Sequence, residues 1–157
     1  MEKFLEEWRA DMSDLYDTDT LTWSERQAAL LRRIAAGERV NDPDLDWPNI
    51  IEEVESVGRS DLHAVESWLT QAFLHDLKAQ AWPQSRDAAH WQAEARLFRR
   101  QAKRRFTESM RQRIDLAGLY GDALAGLPET MEGQDPLAVP PICPATLGEL
   151  FGEQRGA

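Results

Sequence analysis

The stretch from Ser60 to Ala81 sets the tightest limit on what this chain can become. Its apolar residues Leu62, Val65, Trp68, Leu69, Ala72, Phe73, Leu74 and Leu77 cover more than one stripe of a helical surface when each residue advances by 100°. A helix that is apolar on several sides needs neighbours on several sides. The segment therefore predicts a central helix inside an all-α bundle, capped by Ser60 and broken by Pro83.

The flanking segments carry narrower stripes that would pack around such a centre. Thr22 and Glu25 stand in capping-box spacing, and Trp23, Leu30, Leu31 and Ile34 follow on one face until Gly37 offers a stop. Asn41 to Leu45 reads as a loop. Asp46 caps a second helix with Pro48 in its first turn, an inner stripe of Trp47, Ile50, Val54 and Val57, and Gly58 at its end. Ser85 caps a fourth helix whose inner face is Ala88, Trp91, Ala95, Phe98, Ala102 and Phe106. A fifth segment, Met110 to Leu124, turns Ile114, Leu119 and Ala123 inward and is weakened by Gly118 and Gly121. No segment alternates as a β-strand does, and no internal repeat is visible.

The expected architecture is a single-domain bundle of about five main helices with a short docked C-terminal segment. Residues 1–15 would form a peripheral N-terminal helix through Phe4, Leu5, Trp8, Met12 and Leu15, and residues 16–126 the core bundle. Residues 127–141 read as a loop rich in Gly, Pro and acids. Residues 142–157 form the tail segment, which docks through Pro144, Leu147, Leu150 and Phe151.

Composition narrows the function classes. At 157 residues one core is expected, and a charge of −10 opposes nonspecific binding of the whole molecule to nucleic acid or anionic lipid. The single cysteine, Cys143, can form no intramolecular disulfide and supplies no zinc site alone, which fits a reducing cytoplasm. Met1 to Ala10 lacks the basic and apolar runs of a signal peptide, and no stretch is long enough to insert in a membrane. Five tryptophans, Trp8, Trp23, Trp47, Trp68 and Trp91, occupy inner-face positions and read as core.

In order along the chain, several strings resemble a bacterial family catalogued as domain of unknown function twenty-nine. They are Tyr16-Asp17-Thr18-Asp19 with Trp23, Gln27-Ala28 with Leu30-Leu31-Arg32, Leu45-Asp46, and Glu52-Glu53-Val54-Glu55 to Gly58. Glu66-Ser67 with Leu69, Leu74-His75 with Leu77-Lys78, Trp82-Pro83, Trp91, and Cys143-Pro144 with Thr146-Leu147 continue the match. Asp76 and Ala79 depart from a more apolar family stretch. The resemblance implies an all-helical bacterial protein and no activity, cofactor or catalytic residue.

Two sets of residues are candidates for chemistry. Glu66 and Asp76 fall in apolar sectors of the third helix, His63 lies one turn before Glu66, and Glu53 borders the inner stripe of the second helix. Glu53, His63, Glu66 and Asp76, with His75 beside them, would make a metal or acid–base cluster, or else a structural network. The network is the expectation, with Glu66 buried and hydrogen-bonded and with no metal or other cofactor. The second set is cationic: Arg96, Arg99, Arg100, Lys103 and Arg104 share one exposed side of the fourth helix, a possible anion-binding face. With 28 acids against 18 bases, those cations are expected to meet carboxylates of the same molecule. Cys143 precedes a proline with no neighbouring base and reads as a packed thiol.

The leading functional expectation is a non-enzymatic module that binds another protein, by its tail or by an exposed apolar groove. The alternatives are a nucleic-acid-associated regulator using the fourth helix and a metal-dependent enzyme using the Glu/His/Asp cluster; nucleic acid is the less expected partner.

Overall fold

The computed structural model describes residues 14–153, so the amphipathic segment Phe4 to Met12, with Trp8, lies outside the described residues. Within them the chain is all-α. The long helices are α1 (Thr20–Ala35), α2 (Trp47–Ala81), α3 (Ala88–Arg105) and α4 (Leu116–Ala125), and a short α5 (Leu147–Leu150) follows. No strand occurs among the described residues; only an isolated bridge pairs Met131 with Gln134. The chain forms two compact units, one ending at Gly58 and one beginning at Arg59.

In the first unit the caps decide where α1 begins and ends. Asp19, not Thr22, is the N-cap: its carboxylate accepts from the Thr22 amide at 3.0 Å and from the Thr22 hydroxyl at 2.7 Å. The expected Thr22 cap moves three residues back because an aspartate there caps the free Thr22 amide of a helix that already begins at Thr20. At the other end Gly37 takes φ +82°, and the amides of Gly37 and Glu38 bond back to Ile34 and Arg33. That is a Schellman stop, which a glycine adopts without steric penalty.

The core of this unit gathers Trp23, Leu45 and Ile50, with Leu15, Tyr16, Leu30, Leu31 and Val40 against them. Gln27 lies at its centre, 2% exposed. Its amide nitrogen donates to the Asp44 carbonyl at 3.2 Å and its oxygen accepts from the Asp46 amide at 3.0 Å. One side chain thereby satisfies both backbone groups of the loop that enters α2. Asp46 in turn accepts from the Trp23 indole at 2.9 Å and from Asn49 at 2.7 Å.

The expected break at Gly58 does not occur. The second and third expected helices are one helix, α2, of 35 residues. A glycine inside a helix costs roughly 1 kcal/mol relative to alanine, and without a positive φ or a following proline that cost is too small to end it. Gly58 and Ser60 therefore lie inside one helix instead of ending one and capping the next.

In the second unit α2 contributes Val65, Leu69, Ala72, Phe73 and Leu77, all buried. Val65 and Leu69 pack with Ala102 of α3, with Met110, and with Leu147 and Phe151 of the C-terminal segment. Phe73 and Leu77 pack with Tyr120 and Ala123 of α4, the two rings meeting edge to face at 5.2 Å. Several sides of α2 are covered, as its apolar pattern requires.

α3 starts later than the Ser85 cap predicts, with Asp87 at its N-cap position, while the Ser85 hydroxyl accepts from the Asp87 amide at 3.2 Å. The fifth helix also starts late. A 3₁₀ turn, Glu108–Met110, precedes it, and the Asp115 carboxylate caps α4 by accepting from the Gly118 amide at 3.1 Å. Residues 127–141 are held to the helices by their backbone. The Trp82 indole donates to the Gln134 carbonyl, the Leu137 amide to Ala81, and the Tyr120 hydroxyl to Pro140. Thr146 and Glu149 form a capping box on α5, and Gly152 at φ +66° turns the chain after it.

Candidate functional site

The proposed carboxylate cluster is not assembled. His63 is exposed and Glu66 half-buried, and no group of three metal-ligating side chains occurs among the described residues. The Glu66 carboxylate makes no hydrogen bond or ion pair among them either. Its backbone carbonyl accepts from Thr70. The expectation of a buried, bonded Glu66 therefore fails, because its position lies at the edge of the apolar face, where the carboxylate reaches water. In the first unit Glu53 accepts from the Tyr16 hydroxyl at 2.6 Å and lies near the Ser56 hydroxyl.

Asp76 does find a partner. Its carboxylate accepts from Arg99 of α3. Burial pushes the carboxyl above the ordinary carboxylate value, while Arg99 and, more weakly, His75 and Arg96 pull it down. His75 on the same turn sits between acceptors: Nδ1 is 2.8 Å from the Gln71 carbonyl and Nε2 is 2.8 Å from Glu94 of α3. The polar contacts of α2 in this unit thus run to α3, and sequence spacing within one helix could not have revealed them. The matching signal was Glu94 and Arg99 on the partner helix.

The cationic side of α3 divides. Arg99 belongs to Asp76, and Arg105 lies 3.5 Å from Asp61 and over the Trp68 ring at 5.9 Å. Arg104 lines a shallow surface cleft with Trp68, Gln101 and Arg105. Lys103 donates to the Phe151 carbonyl at 2.6 Å. Arg96 and Arg100, both exposed, make no hydrogen bond or ion pair among the described residues. The expected pairing of this stripe with acids is met by Arg99; Arg96 reaches Asp76 only through longer-range attraction, Arg100 and Arg104 make no ion pair among the described residues, and the partner of Lys103 is a backbone oxygen. Arg96, Arg99, Arg100 and Lys103 line an open cleft of about 450 Å³ together with Leu150, Phe151 and Gly152.

The first unit carries a different surface. Ile50 enters the core, but the residues one and two turns further along the same face do not. Val54 is 70% exposed, Val57 66% and their neighbour Ile51 53%. The expected inner stripe of Trp47, Ile50, Val54 and Val57 is thus buried only at Ile50. Trp47 stays partly exposed, its indole donating to Asp42 at 2.9 Å. Trp23 and Trp91 are core residues as expected, and Trp82 joins them.

Among the described residues no helix is long and apolar enough to cross a membrane. A family model described as Domain of unknown function DUF29 matches residues 15–154, nearly the whole chain. The chain belongs to that family. It is also similar to a solved alpha-helical protein of unknown function from Rhodospirillum rubrum ATCC 11170, at 24% identity and a TM-score of 0.58. The likeness covers 88% of this chain and 89% of that one, and it speaks to the fold alone. No curated protein matches the chain.

Proposed function

We propose that the chain is a non-catalytic protein-interaction module whose first unit receives an amphipathic helix with basic flanks from a partner protein. The observation that carries this reading is the exposed face of Ile51, Val54 and Val57. Three large apolar side chains grouped on one helix face lose free energy by staying in water, at about 25 cal/mol for each Å² left uncovered. Charge selects the occupant. Residues 14–58 hold eleven acids against four bases, so a second copy of the same unit meets like charge, whereas a basic helix is attracted.

The test is fluorescence anisotropy of a labelled amphipathic Leu/Lys helix titrated with the full chain. Binding with a dissociation constant in the micromolar range, weakened by salt and lost at least tenfold in Val54→Glu, supports the reading. An unchanged affinity in Val54→Glu overturns it. So does sedimentation in which the chain alone dimerises through this face, since the occupant is then a second copy.

A further inference from the structure

Lys103 and the C-terminal turn together make a small built feature on the second unit. The Phe151 carbonyl holds the lysine ammonium at 2.6 Å. Phe151 itself is anchored in the core and meets the Phe106 ring at a tilt of 52°, 5.0 Å between ring centres. The wall of the cleft is therefore fixed on one side by core packing and on the other by α3. An ammonium with one donor so used keeps two more. Beside it, Arg96 and Arg100 are one helical turn apart, a spacing that puts Cβ atoms roughly 5–6 Å from each other on one face. In a molecule with ten more acids than bases, Arg96 and Arg100 make no ion pair among the described residues, although Arg96 is near enough to Asp76 to act on its carboxyl.

We propose that this cleft binds the dianionic phosphate of a small phosphomonoester. Arg96, Arg100 and Lys103, none of them in an ion pair among the described residues, bring positive charge to one cleft, and three phosphate oxygens accept from their donors. A single carboxylate would neutralise only one of these cations, where a phosphate dianion neutralises two. The cleft volume of about 450 Å³ is that of a small-molecule site. Leu150 at its edge offers an apolar surface to the body of the ester. This site lies on the second unit and is independent of the helix-docking face, so neither proposal falls with the other.

The experiment is isothermal titration of the full chain with inorganic phosphate and with phenyl phosphate at constant ionic strength. The expected result is one site with a dissociation constant on the order of 1 mM or tighter. Phenyl phosphate should bind more tightly than inorganic phosphate. The double variant Arg96→Ala, Arg100→Ala should weaken both at least tenfold with an unchanged melting temperature, because both side chains are exposed. Arg100→Glu, a second variant at the same surface, should abolish binding. Equal affinity in these variants overturns the proposal, as does an equal heat from chloride at matched ionic strength. Binding of phosphatidic acid vesicles or of duplex DNA tenfold tighter than phenyl phosphate also overturns it, in favour of a membrane or a nucleic acid.

Discussion

Lys103 of α3 donates to the carbonyl of Phe151, 48 residues further along the chain, at 2.6 Å. The bond joins the polar side of α3 to a turn whose apolar side is already buried against Val65, Leu69 and Ala102. Packing and a charged hydrogen bond thus hold the same residue from opposite sides.

Lys103→Met keeps most of the stem but removes the donor. We expect a global loss of about 0.5–2 kcal/mol in urea unfolding, the ordinary worth of a hydrogen bond from a charged group at a partly exposed position. The local effect should be larger than the global one. Amide exchange at Leu150 and Phe151, whose amides bond to Thr146 and Leu147, should quicken by more than that at Leu69. Uniform quickening across the second unit would contradict this.

The pairing of Asp76 with Arg99 makes a prediction about pH. Burial raises the Asp76 carboxyl above 3.8 in the folded chain, with Arg99 opposing the shift. A group with a raised folded value holds its proton more tightly when folded, so its contribution is fully present below the unfolded value. It is lost as pH rises through the folded value. Carboxyl-carbon titration by NMR should therefore place Asp76 above 3.8, and in Arg99→Met higher still. That variant should also lose about 1–3 kcal/mol at neutral pH, since a partly buried carboxylate is left without its partner. An Asp76 that titrates below the ordinary value would show that the ion pair outweighs burial.

The features legible in the sequence were those set by one segment at a time. The apolar coverage of residues 62–77, the Gly37 stop and the apolar character of Leu147 to Phe151 each follow from local spacing, and each is found in the structure. What stayed hidden depends on a partner from elsewhere in the chain. Nothing local to Gln27 reveals that the backbone at Asp44 and Asp46 needs a donor and an acceptor there. Val54 and Val57 read as core because a helical stripe specifies a face without specifying its cover. The basic stripe is legible, but which of its cations forms the ion pair, Arg99 and neither Arg96 nor Arg100, depends on the position of Asp76.

The last prediction concerns Gly58, where the expected helix end and the continuous helix make opposite demands on the backbone. If the helix stopped there, glycine would adopt a positive φ, and an added Cβ would be strained, as it must be at Gly37 with φ +82°. In the continuous α2 no positive φ occurs at Gly58, and a Cβ built there meets nothing within 4 Å. Alanine then brings no clash and removes the excess backbone freedom of glycine from the unfolded chain. Gly58→Ala should stabilise by about 0.4–1 kcal/mol, while Gly37→Ala should destabilise by about 1 kcal/mol. Paired urea titrations of the two variants check the signs directly, and a loss of stability in Gly58→Ala would mean that α2 is interrupted in solution.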